Sequence, residues 1–321
     1  MTVSFDKLSI LSALLVVLTG CSSISKIPFA DRWNTQKSEV PSSATVQSAA
    51  EGCTPETGAP FHFRKVLLVA GTTGVSGIAR DLPGLADLTS RRLQTHLDAL
   101  NRFNVFATHN SSFETMASGT AVRVKQLGRD FASQFVVKLK LEDLTTYTAG
   151  GWLPELLGGI THRNVLLKMY IYDTEHGTLF YSKQYQDIAS GDVVGYPGDG
   201  KVVSDPWFNT DLGIKIDSIL KTISMQIDRK LACVPFSAEV VAVKGSDIHI
   251  NAGYLHGVRP GETLRAYRSA DVLASSGTQK QGENEGWIKV QTVFPNHSIA
   301  SYNQDSLGDI VLDTGDIIRA W

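Results

Sequence analysis

The chain has little of what metal binding or catalysis requires. Only three of its 321 residues are cysteine, and Cys21, Cys53 and Cys233 form no CxxC pair. Eight histidines, at 62, 96, 109, 162, 176, 249, 256 and 297, show neither HxxxH nor HExxH spacing, so no local run asks for zinc. The formal net charge of −2 argues against a nucleic-acid partner. No apolar run approaches 18 residues, so no segment reads as a membrane-spanning helix. Gly71-Thr72-Thr73-Gly74-Val75-Ser76-Gly77 follows a strand and precedes a helix, where a phosphate loop belongs. It fits neither GxGxxG nor GxxxxGK[ST], and Ile78 stands where a GxSxG elbow around Ser76 needs glycine. These seven residues read as a flexible turn. Glu142-Asp143, Asp313 and Asp316 read as a strand end and turns, and His96 as a boundary histidine on a helix. No catalytic residue, metal ligand or cofactor site is assigned.

What is present begins at the N-terminus. Lys7 precedes an apolar run from Leu8 to Leu18, broken only by Ser9 and Ser12. As a helix it reaches about 16 Å, roughly half the hydrocarbon core, too short to anchor a mature chain. It fits the h-region of a signal peptide over 1–20. Leu18-Thr19-Gly20-Cys21 resembles the lipobox of bacterial lipoproteins, an apolar residue and two small ones before the cysteine that takes the lipid. That resemblance implies lipidation of Cys21, and several acyl chains make such anchoring effectively permanent. Ser22, where an Asp would signal retention, implies by the same likeness the periplasmic face of the outer membrane.

After cleavage, residues 21–60 are rich in Ser, Thr, Pro, Ala and Gln and read as a tether. A coil of that length reaches roughly 30–40 Å. Cys53 and Cys233 remain, and in an oxidising compartment an even pair is a disulfide candidate, the alternative being two unpaired buried thiols. From Phe61 the order is strand (65–70), helix (Leu85 to Leu100), strand (104–107), helix (117–128) and strand (134–141). Strands 164–172 and 178–185 follow, joined at Gly177, then a long amphipathic helix from Leu212 to Leu231. This is an α/β pattern, with helices packed on a mixed sheet, over 61–235. Over 236–321 six short strand candidates (238–243, 247–250, 263–267, 286–293, 298–302, 316–320) show no helical period and read as a small all-β barrel or sandwich. The apolar loop from Gly150 to Ile160 is either an excursion folded over the sheet or an exposed contact for a partner subunit. Trp207-Phe208 reads as a hydrophobic staple ahead of the long helix.

In order and spacing these segments resemble the middle and C-terminal domains of the flagella assembly protein T family, whose N-terminal domain is lacking here. The matching stretches are Lys65 to Ala70 with Asp81-Leu82-Pro83-Gly84-Leu85, Asn101 to Val105, and Gln134 to Val137 with Asp143-Leu144. They continue through Tyr172-Asp173, Gly177-Thr178-Leu179, Trp207-Phe208, Leu231 to Pro235, and Asn251-Ala252-Gly253 with Gly257 to Glu262. The resemblance implies a TolB N-terminal-like α/β domain followed by a β-barrel. It also implies a non-enzymatic role in a periplasmic ring around the flagellar basal body, among ring proteins and as a ring-forming oligomer. Two other readings stay open: a lipoprotein cofactor or adaptor of another envelope machine (secretion, polysaccharide export or cell-wall synthesis), and a periplasmic hydrolase or ligand-binding protein using Ser76.

Overall fold

The computed structural model describes residues 62–74, 81–108, 120–149, 160–191, 204–268, 285–302 and 311–320. The lipobox with Cys21, the tether with Cys53, Ser76 and the loop 150–159 lie outside the described residues.

Strand β1 (Lys65–Thr73) is the centre of the first module. It pairs in parallel with β2 (Phe103–Thr108) on one side and with β3 (Phe135–Asp143) on the other. All nine residues of β1 are buried, because helices cover both faces of the sheet there. Leu67 and Val69 face a core shared with α1 (Leu85–Ala99) and the long α3 (Asp211–Leu231). Leu68 and Ala70 face Val124 and Leu127 of α2 (Thr120–Phe131). A strand covered on both sides must be apolar at every position, which is why its run is continuous rather than alternating.

Beyond β3 the sheet turns antiparallel. β5 (Ile160–Asp173) pairs with β3 and then with β4 (Thr146–Ala149) along one edge, and with β6 (Thr178–Ser190) along the other. Here burial alternates: Val165, Leu167, Met169 and Ile171 are buried and their neighbours are half-buried.

Helix α3 carries its own signals. Thr210 Oγ1 accepts from the Gly213 N–H at 3.1 Å, Asp211 lies in the first turn, and Arg229 and Lys230 lie in the last. Arg92 and His96 of α1 both donate to Asp217 of α3, at 2.6 and 2.7 Å. Burial opposes the Asp217 charge, but these two bonds outweigh it and hold the carboxyl below the usual range.

Six strands form the second module: β7 (Phe236–Lys244), β8 (Asp247–Ile250), β9 (Thr263–Tyr267), β10 (Glu285–Val293), β11 (Ser298–Tyr302) and β12 (Ile317–Ala320). They close in the order β10-β11-β8-β7-β12-β9, with every pairing antiparallel. Val240, Ile248, Ile250, Leu264, Ala266, Ile288, Val290, Ala300 and Ile318 fill the interior at period two. A barrel, not a sandwich, is formed.

Three expectations need correction. Gly71 to Thr73 are not turn but the end of β1, which passes a register shift between Ala70 and Thr73 and continues along β3. Sheet pairing there overrides the turn propensity of the glycine. β4 was not expected; four residues pairing only with β5 carry too short a pattern to read. β5 and β6 also run longer than 164–172 and 178–185, because their ladder extends through polar residues such as Arg163 and Asp187.

Candidate functional site

Of the positions that invited a chemical reading, Ser76 lies outside the described residues, and those within them sit in internally satisfied networks. Thr72 donates from both its N–H and its hydroxyl to Ser90 Oγ, at 3.0 and 2.8 Å. Ser90 Oγ–H in turn donates to the Ala86 carbonyl at 3.0 Å. A Cβ at Gly74, where φ is +87°, would lie 2.2 Å from the Leu141 carbonyl oxygen, so close backbone approach explains that glycine. Glu142 pairs with Lys140 and Lys168 at 3.1 and 3.2 Å, Asp143 accepts from the Thr145 N–H, and Asp316 accepts from the Asp313 N–H. His96 holds Asp217, as above. Phe208 is buried beside α3 with the Arg92 guanidinium 4.8 Å above its ring, and Trp207 packs part-buried against the same core. Among the described residues no three His, Cys, Asp or Glu side chains gather as a metal site. Cys233 sits in the turn after α3, and its expected partner Cys53 is outside the described residues.

Sequence reading missed the clamp made by Arg163. This β5 side chain is 2% exposed and grips Asp81 through both terminal nitrogens, at 2.6 and 2.8 Å, while its Nε–H donates to the Leu144 carbonyl. It ties the segment entering α1 to the turn after β3. An arginine in a strand next to polar Asn164 carries no signal of a partner 82 positions away.

Polar side chains also bond across the place where the two modules meet. Gln134 Nε2–H donates to the Pro235 carbonyl at 2.7 Å, and its Oε1 accepts from the Ser237 N–H at 3.3 Å. Asn104 Nδ2–H donates to the Leu255 carbonyl at 2.8 Å, and Arg319 of β12 pairs with Glu175 of the β5–β6 hairpin at 3.1 Å. The chain reaches β1 through the same place. Arg64 N–H donates to the His256 carbonyl, His62 pairs with Glu262, and Phe63 stacks on Phe236 at 5.3 Å. Gly257, at φ +89°, leaves the room that the His62 carbonyl occupies, since a Cβ would lie 1.9 Å from it.

Between the modules lies a cavity of about 110 Å³, lined by Ser133, Gln134, Glu175, Glu239, Asn251 and His256 among others. Burial pushes the His256 imidazole below its usual pKa, and its Nδ1 accepts from the Gly253 N–H, which puts the single proton of the neutral ring on Nε2. His176 behaves oppositely. Its hydrogen bond to Asp173 raises its pKa, against burial and the nearby Arg319. At the foot of the sheet, burial lowers Lys65 to about 8 beside the Arg102–Asp228 pair.

Comparison with known proteins falls on the same two modules. A family model described as flagellar assembly protein T, middle domain, matches residues 81–194. That family's C-terminal domain matches residues 245–311. No curated protein gives a significant match. Among solved structures, the hypothetical protein CT253 from Chlamydia trachomatis is 15% identical with TM-score 0.36, over 53% of this chain and 98% of that one. The PelC dodecamer from Paraburkholderia phytofirmans is 12% identical with TM-score 0.31, over 52% and 88%. Lipoprotein GNA1162 from Neisseria meningitidis is 14% identical with TM-score 0.28, over 50% and 99%. At such scores these likenesses say nothing of activity or partner.

Proposed function

Because the chain belongs to the flagellar assembly protein T family through its middle and C-terminal domains, we propose that it is a non-enzymatic envelope lipoprotein that assembles or stabilises a periplasmic ring around the flagellar basal body. The observation that carries this reading is the pair of family matches, in family order, on one chain. The polar clusters support it, since Thr72, Ser90, Glu142 and Asp217 each spend their hydrogen bonds on fold contacts. A scaffold needs such rigidity, while a hydrolase needs a nucleophile with a base beside it.

In this reading Cys21 carries the lipid that holds the chain to the outer membrane. The tether delivers the folded part at His62, where residues 62–64 are bonded to the barrel before the chain enters β1. A Cys53–Cys233 disulfide then pins that point to the exit of α3, so that tension on the tether does not peel β1 from the sheet. Mass spectrometry of the mature protein without reductant tests the clip. A linked Cys53–Cys233 peptide is expected, and free alkylation of both thiols removes it.

Deletion in a polar-flagellated host tests the function. The expected outcome is lost swimming with incomplete basal-body rings in micrographs, and normal swimming with intact rings sinks the reading. Crosslinked envelopes should yield rod and ring proteins; synthase or export proteins in their place would assign the chain to another envelope machine.

A further inference from the structure

Strand β6 lies at an edge of the sheet. Among the described residues β6 pairs with β5 alone along its thirteen residues. The barrel, being closed, has no such edge. The Ile188 N–H is accepted by the Asp187 carboxylate at 2.8 Å rather than by a strand. That amide therefore turns away from β5, and with a period of two so do those of Ser182, Gln184 and Gln186. All four residues are exposed. Asp187 blunts the edge at Ile188, which leaves residues 182–186 as the stretch that presents unpaired amides and carbonyls.

The flank of this edge facing α3 has a definite chemistry. Lys183 Nζ lies 5.4 Å from the centre of the Tyr185 ring, and Lys230 Nζ of α3 lies 4.8 Å from that of Tyr181. Asp187, the one acid in this row, is already paired with Lys215 at 3.2 Å. Two ammonium groups therefore stand over aromatic rings beside the edge, and among the described residues no carboxylate pairs with either. The Tyr185 hydroxyl is buried and has no hydrogen-bond partner among the described residues.

We propose that β6 accepts an extended acidic segment of a partner protein as a seventh strand, paired along residues 182–186 with carboxylates against Lys183 and Lys230. Main-chain bonds supply the attachment and the alternate side chains the selectivity, the division found wherever a peptide extends a sheet. A second copy of β6 is the poorer occupant. It sets one lysine row beside another, and like charges across a strand pair repel. The uncharged β2 edge, Phe-Asn-Val-Phe-Ala-Thr, offers no comparable selection by charge.

The test uses the whole mature protein and a labelled seven-residue peptide of alternating Glu and Val, with a Lys-Val peptide as control. The acidic peptide is expected to bind at least tenfold more tightly and to slow amide exchange at residues 182, 184 and 186. Lys183→Glu should reverse the preference between the two peptides. Gln184→Pro removes one outward N–H without touching the β5 ladder, so protection should vanish while the melting temperature moves by only a few degrees. Should Gln184→Pro fail to fold, the Lys183→Glu comparison decides alone. Equal binding of both peptides, no binding of either, or slow exchange at these amides in the free protein overturns the proposal. A dimer in sedimentation that Gln184→Pro dissolves also overturns it, assigning the edge to a second copy. None of these outcomes involves a flagellum, so the reading of function stands or falls separately.

Discussion

The sheet of residues 65–190 and the barrel of residues 236–320 bury apolar strands by different means, and the difference separates rigidity from availability. In the barrel every strand has two neighbours, so its backbone groups are consumed internally. In the sheet, the three helices of the described residues serve two faces unequally. Among the described residues α1 and α3 share one side, while α2 covers the part of the other around β1 and β3. The result is a closed body that resists further pairing, joined to a sheet whose β2 and β6, among the described residues, pair on one side alone.

The strongest way to break this comparison is to cut each core. Leu167→Ala in the sheet and Ile288→Ala in the barrel each empty a fully buried position and should cost about 2–5 kcal/mol. Denaturant unfolding followed by module-specific fluorescence measures both. If the junction makes one cooperative unit, either substitution lowers both signals together; separate transitions would show that the modules unfold independently.

The clamp inside the sheet comes next. Arg163→Ala removes a buried guanidinium together with both of its bonds to part-exposed Asp81, for an expected loss of about 3 kcal/mol. The loss should vanish into a near-neutral effect if Asp81 is replaced by Asn in the same chain, and a double-mutant cycle reads this directly.

Lys65 tests the foot of the sheet by pH. Its folded pKa of about 8 lies below the ordinary 10.5, so the folded state sheds this proton first. The stability it contributes is therefore whole above pH 10.5 and falls as pH drops through 8. Lys65→Met should flatten that slope, a change on the order of 1–3 kcal/mol between pH 8 and 10.5. Melting curves at several alkaline pH values in which wild type and variant run parallel would contradict it.

At the junction, Gln134→Ala deletes the bonds to Pro235 and Ser237 and should cost about 1–2 kcal/mol. Calorimetry should then show the transitions of the two modules further apart than in the wild type. The smallest effect belongs to His176, whose pKa is raised by Asp173. A raised folded value means its contribution is complete below pH 6.5 and lost as pH rises through the folded value. Because the side chain is 36% exposed, His176→Gln should change stability by less than about 0.5 kcal/mol at pH 6, and not at all at pH 9.

How legible all this was in the sequence differs between the modules. Each of the barrel's strands is short, alternating and punctuated, so period and turn residues sufficed to place all six to within a few residues. The helices were equally plain, since Leu85, Leu88, Leu93 and Leu97 recur on one face. The glycine-rich stretch misled because its conformation is imposed by β3 alongside, and local propensity yields to sheet pairing. The family resemblance was visible in segment order. The junction residues, by contrast, are ordinary polar residues whose partners lie 101 to 151 positions away in the bonds from Gln134 and Asn104.

By itself the sequence determined what depends on neighbours along the chain: a periodic α/β module and a β-only module. These rest on side-chain period and backbone preference, which act over a few residues. Only the tertiary structure decided what depends on distant segments meeting. It chose barrel over sandwich, put Arg163 on Asp81, ran the first described residues across the barrel and left β6 paired with β5 alone among the described residues. Such outcomes come from closing long loops and matching strand registers, and no local pattern encodes which of two distant strands will be the last in a sheet.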